Sequence, residues 1–161
     1  MVDTSPPRRT RARILLILPA AALLLLGLNA GLLLLGLPMP ILFERLPELH
    51  APLLVFGFLG TLISLERAVA LRAKWSYSAP ILIAVGSLFT LTPLPVVVGK
   101  LVVMVGLGIH LLQYRAIWHR QPMTATAVQG LGAGSAVAAA LAWSGGVPPS
   151  RLVPLFAAFL V

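Results

Sequence analysis

Apolar residues in this chain come in long runs broken by short stretches bearing proline and arginine. They neither alternate, as in a half-buried strand, nor keep to the narrow stripe of a surface helix. Residues 14–37 are apolar but for Asn29. A helix needs roughly 20 residues to cross a ~30 Å hydrocarbon core, so this run predicts a first membrane span. It is too long for the core of a cleaved signal peptide, which runs roughly 7–15 residues. Pro38, Pro40 and Pro47, with Glu44, Arg45 and Glu48, make 38–49 a turn in water. A second span is expected over 50–71. A basic loop follows, carrying Trp75 and Tyr77, residues that favour the headgroup layer. A third span over 80–92 covers only about 18 Å and needs its flanks or a thinned bilayer. Thr92-Pro93-Leu94-Pro95 turns the chain into a fourth span over 96–118, and a fifth follows over 125–144. Residues 152–161 are apolar but too short to cross. They read as an incomplete sixth span, so missing C-terminal helices of the same chain are expected to complete the molecule. The expected fold class is all-α: a polytopic transmembrane bundle of five complete spans and a truncated sixth. It forms one domain over 14–161 behind a basic tail at 1–13.

Composition sharpens this picture. The chain is 59% hydrophobic and 10% charged, against roughly a quarter charged in soluble domains, so its first partner is the lipid bilayer. A net charge of +8 would point to nucleic acid in a soluble chain. Here the basic residues cluster between apolar runs, as topology signals do, and nucleic acid is set aside. With the N-terminus cytoplasmic, the inner side receives Arg8, Arg9, Arg11, Arg13, Arg72, Lys74, Arg115 and Arg120, and the outer loops Arg45 and Arg151. That bias follows the positive-inside rule and sets the expected orientation. No cysteine is present, which excludes disulfides, iron–sulfur clusters and thiolate metal sites from these residues.

The polar residues inside the runs are the candidate chemistry. On the second span His50, Gly57, Thr61 and Ser64 fall near one line at 100° per residue. One reading is a helix–helix seam with Gly57/Thr61 and Gly60/Ser64 as small pairs; the other is a metal, haem iron or proton held by His50. Gly27 and Gly31 on the first span, and Gly130 and Gly134 with Ala138 and Ala142 on the fifth, share the four-residue spacing of close helix packing. Glu66 is a carboxylate inside a span, and such groups read as functional by default. Adjacent helical residues point about 100° apart, so Arg67 is expected to reach the inner headgroups while Glu66 finds another partner, as an ion pair or a proton-handling group. Gly99, Gly106, His110 and Gln113 share a face of the fourth span, with Lys100 pointing elsewhere near the outer end. His110 reads either as a proton acceptor, metal ligand or haem ligand, or as a packed polar residue. His50 and His110 differ in depth by about 18 Å and cannot flank one iron, whereas Glu66 and His110 differ by only about 5 Å.

The stretch H-A-P-L-L-V-F-G-F-L-G-T-L-I-S-L-E-R-A-V-A-L, followed by Trp75, Tyr77 and Pro80, resembles a recurring segment of uncharacterised bacterial multi-span membrane proteins longer than this chain. Gln121-Pro122, Thr124-Ala125-Thr126 and Trp143-Ser144-Gly145-Gly146 fit the same group, in which the chain continues past Val161 into E-R-L-E-L. More distantly the group is similar to the NnrS family of haem- and copper-associated membrane proteins of the nitric-oxide response. His50-Ala51 and Phe56-Gly57-Phe58 match the H-A and F-G-F of that family's W-H-A-H-E-M-L-F-G-F segment. Pro52 and Leu53 stand where the family has its second histidine and its glutamate. The resemblance implies a multi-pass protein of the bacterial inner membrane, with haem or copper as the cofactor to test. Two function classes are carried forward. One is a haem- or metal-binding protein of nitric-oxide or respiratory stress using His50, His110 and Glu66. The other is a transporter or channel-like protein with Glu66, Arg67 and Lys100 along a polar path, with a structural membrane subunit behind both. No nucleophile–base constellation or phosphate-cradling loop supports an enzyme mechanism.

Overall fold

The computed structural model describes the backbone of residues 8–93 and 95–161 and the side chains of 16–93 and 95–161. Among the described residues six helices follow one another: α1 (Arg8–Leu34), α2 (Pro47–Leu71), α3 (Ser78–Phe89), α4 (Val96–Arg120), α5 (Thr124–Ser144) and α6 (Val153–Phe159). No strand occurs among the described residues. Four helical segments are long and apolar enough to cross a membrane: Leu16–Leu34 within α1, α2, α4 and α5. All four arginines of the expected basic tail fall on helix, since α1 already begins at Arg8; residues 1–7, and Leu94 in the expected turn, lie outside the described residues.

Local chemistry sets the ends of these elements. The first apolar run predicts a helix to residue 37, yet α1 stops at Leu34. Gly36 adopts φ +75°, a left-handed conformation open to glycine at little steric cost. Its N–H bonds Leu33 O, and Leu37 N–H bonds Leu32 O, the two crossed bonds that close a helix before a proline. Gly146 does the same at the end of α5, with φ +92° and the bonds Gly146 N–H to Trp143 O and Val147 N–H to Ala142 O. At the start of α2, Pro47 occupies the first turn, where its missing N–H costs nothing. From Leu53 to Gly60 this helix is wound as a π-helix.

α3 differs most from the expected spans. It covers twelve residues, roughly 18 Å, and is not among the helices long enough to cross. Its place is fixed by glycines. A Cβ on Gly86 would stand 2.6 Å from Val103 N, one on Gly99 2.7 Å from Gly86 O, and one on Gly106 2.8 Å from Ile83 N. The backbones of α3 and α4 therefore meet almost directly along an antiparallel hairpin. Gly57 lies against Ser87 and Gly60 against Ile83, so α2 is antiparallel to α3 and parallel to α4. α1 packs antiparallel on α2: a Cβ on Gly27 would meet Leu54 at 2.5 Å, and one on Gly31 the His50 imidazole at 2.7 Å. The core runs from Leu23 through Leu53, Phe56, Ile83, Val103 and Leu107 to Ala136, Ala139 and Ala140. Phe56 meets Trp143 at 5.9 Å and Phe156 at 5.2 Å between ring centroids, which seats α6 on α2 and α5.

Candidate functional site around His110

Parallel α2 and α4 bring Ser64 and Gln113 to one level, and there the interior becomes polar. Gln113 is fully buried. Its Nε2 donates to Ser64 O at 3.1 Å and to Ser76 O, in the turn between α2 and α3, at 2.8 Å. Both partners are carbonyls and can only accept, so the amide orientation is determined and Oε1 is left facing α4. There it lies 2.8 Å from His110 Nδ1. Nδ1 therefore carries the hydrogen, and Nε2 holds a lone pair. His110 is also fully buried, and its Nε2 has no hydrogen-bond partner. The neighbouring Thr61 hydroxyl, one turn from Ser64, is buried and unpartnered as well.

Two rings stand edge-on to the imidazole: Tyr114 at 5.1 Å and 69°, and Phe159 at 6.1 Å and 84°. The same two rings line a cleft of about 150 Å³ with Ile63, Glu66, Arg67 and Gln129. The cleft is thus separated from His110 by a single layer of aromatic side chains. Inside it the Arg67 guanidinium lies 5.7 Å from the Tyr114 ring centre, within the range of a cation–π contact. Glu66 does not find a distant partner. Arg67 Nη2 donates to Glu66 Oε1 at 3.3 Å, because the two long side chains curl towards each other although their Cβ atoms diverge. Glu66 is 71% exposed and Arg67 24%, so the carboxylate sits at the mouth and the guanidinium further in.

A family model described as a domain of unknown function matches residues 13–161. The chain belongs to the DUF8744 family. No curated protein and no solved structure matches it.

The other polar residues of the DUF8744 chain are placed as follows. His50 Nδ1 lies 2.7 Å from Gly27 O, and its ring fills the notch left by Gly31 on α1 while Leu54 fills that left by Gly27. Lys100 faces α5 while its neighbour Gly99 faces α3: Nζ donates to Trp143 O at 2.8 Å and stands 4.8 Å over the Trp143 ring. At the other end of α4, Arg120 Nη1 donates to Leu71 O at 2.9 Å. Each cation thus sits at the C-terminus of a neighbouring helix, where the carbonyl ends and the dipole favour positive charge. Asn29 Nδ2 ties the following loop back through Pro40 O at 3.2 Å. The small-residue ridge of α5 is rotated from the expected one. Gly134 has open space where a Cβ would project and Gly130 only Tyr114 Cβ at 3.7 Å, whereas a Cβ on Gly132 would meet Ala158 O at 2.9 Å. Gly132, Ala133, Ala136, Ala140 and Trp143 form the buried face.

Among the described residues no three His, Asp or Glu side chains gather as a metal cage. Rings of Tyr114 and Phe159 pack against the His110 imidazole, and His50 is packed into the α1 notch. Neither imidazole offers the room a porphyrin needs, so the residues present do not fit that group and no step is derived through it. The sequence places Gln113 on the face of His110 without giving it a role, and Tyr114 and Phe159 escape notice there. A glutamine three residues after a histidine on an apolar helix was the signal available for the first.

Proposed function

We propose that this chain is a multi-pass protein of the bacterial inner membrane, N-terminus cytoplasmic, that handles protons within a transport or channel-like function. His110 is the interior acceptor and Glu66 the carboxylate at the cytoplasmic mouth. The observation that carries the reading is the buried, unpartnered Nε2 of His110, pinned in its tautomer by Gln113 and one ring layer from the Glu66–Arg67 cleft. A buried polar atom without a partner is costly, and an ionisable group in a membrane interior reads as part of a substrate or proton path. Small rotations of Tyr114 or Phe159 would join the cleft to Nε2. The Tyr114 rotation would also disturb its contact with Arg67. Five crossings are supported by the parallel run of α2 and α4, since α3 must carry the chain back between them.

The test is proton uptake into proteoliposomes holding the full-length protein and a pH-sensitive dye, driven by a potassium diffusion potential. Uptake above empty vesicles that falls to their level in His110→Gln and drops in Glu66→Gln, with both variants folded, is the expected result. Wild-type vesicles indistinguishable from empty ones would overturn it. The haem reading drawn from the NnrS resemblance is the opposed one, because the Tyr114 and Phe159 rings occupy the space beside the His110 imidazole. An optical spectrum and metal analysis of the same preparation test it; a Soret band lost in His110→Ala would move the assignment to that class.

A further inference from the structure

Between α4 and α5 lies a trough of about 460 Å³, which shares the Tyr114 side chain with the Glu66 cleft. Its walls are Leu111 and Leu112 on one side and Ala127, Gly130 and Leu131 on the other. Gly130 keeps the floor low, with only Tyr114 Cβ near its missing side chain. At the end nearest the α4–α5 turn the lining changes to Arg115 and Trp118. Arg115 is exposed and makes no hydrogen bond or ion pair with any described residue, and Trp118 is 41% exposed. By contrast Lys100 and Arg120 on the same helix are both committed to helix ends.

We propose that this trough is a binding site for one anionic phospholipid of the cytoplasmic leaflet. It rests on the membrane orientation proposed above, and not on proton handling. Arg115 takes the phosphate, the Trp118 indole lies at the headgroup boundary, and an acyl chain follows the apolar walls over Gly130. The polarity gradient along the trough is what commits the site to this occupant. A second helix would meet an unpaired guanidinium at its edge with nothing to neutralise it, and an uncharged lipid would leave the same charge unused. Basic pockets between transmembrane helices on the cytoplasmic side characteristically hold such headgroups, and tryptophan favours the interface.

The experiment uses the full-length protein in phosphatidylcholine vesicles, with brominated phosphatidylglycerol or brominated phosphatidylcholine added in steps. Quenching of Trp118 is read as the difference between the parent and Trp118→Phe. One Arg contact to an anionic headgroup predicts half-quenching at roughly fivefold lower mole fraction for the glycerol lipid. Arg115→Gln should erase that preference while leaving quenching by the choline lipid in place. Gly130→Leu, which fills the floor, should weaken quenching by both. Equal quenching by the two lipids in the parent, or a preference that survives Arg115→Gln, overturns the proposal. So does a Trp118 that neither lipid reaches, the result expected if another part of the chain or a second copy covers the trough. Proton uptake is a separate readout, so failure of either reading is recognised without the other.

Discussion

Gln113 joins α4 to α2 and to the turn before α3 with three hydrogen bonds from one side chain. Replacing it with leucine keeps the volume and removes every partner. Ser64 O, Ser76 O and His110 Nδ1 then compete for bonds they cannot make in a dry interior. We expect Gln113→Leu to lose about 2–3 kcal/mol in thermal or denaturant unfolding in detergent, because buried polar groups are left unmet. The glycines divide the same way. Gly99→Ala drives a methyl into the backbone of α3, which cannot yield as a side-chain tip would, and should cost about 1–3 kcal/mol. Gly134→Ala projects into open space and should stay within about 0.5 kcal/mol of the parent. Equal destabilisation by the two would contradict the packing described. The notch under His50 makes a third case: Gly31→Ala has to displace an imidazole from its bond to Gly27 O, and should loosen α1 without touching the His110 site.

Among the elements, the ends of helices carry as much information as their faces. Gly36 and Gly146 both sit at positive φ, so alanine at either should cost about 1–2 kcal/mol through the left-handed backbone alone. Lys100→Met and Arg120→Met each remove a cation from a helix C-terminus and should cost about 1 kcal/mol apiece, measured as shifts in melting temperature. Lys100→Met also removes the contact over Trp143. The existence of the four long apolar helices was legible in the sequence, because runs of this length and hydropathy have few other uses. α5 begins one residue before the expected 125. The stop at Leu34 has its signal in Gly36 followed by Pro38, a pair that ends a helix by chain chirality where hydropathy alone continues to residue 37. What hydropathy could not convey is which face of an all-apolar helix packs. Gly130/Gly134 and Gly132/Ala136 have equal four-residue spacing, and only the position of α6 chooses the second pair. Likewise the Glu66–Arg67 contact depends on side-chain rotamers, to which Cβ directions at 100° are a poor guide.

For the whole molecule, the two ends of the bundle are chemically unlike. One holds Arg67, Arg72, Lys74, Arg115 and Arg120, the other Arg45, Lys100 and Arg151. Because the chain has no cysteine, single cysteines at Lys74 and at Arg151 will report sidedness with a membrane-impermeant thiol reagent in intact cells. The proposed orientation requires labelling at Arg151 and protection at Lys74; the reverse pattern would invert the molecule and move the Glu66 cleft to the outside. The hairpin of α3 and α4 has a further consequence for how such a protein is made. Twelve residues emerging from a ribosome do not form a span that a lipid bilayer will hold alone, and the surface that completes α3 is the glycine-lined backbone of α4, synthesised afterwards. The proposed five crossings therefore predict that α3 enters the bilayer only together with α4. A nascent chain stopped before Val96 should leave its third segment outside the hydrocarbon, and a chain extended through Arg120 should draw it in.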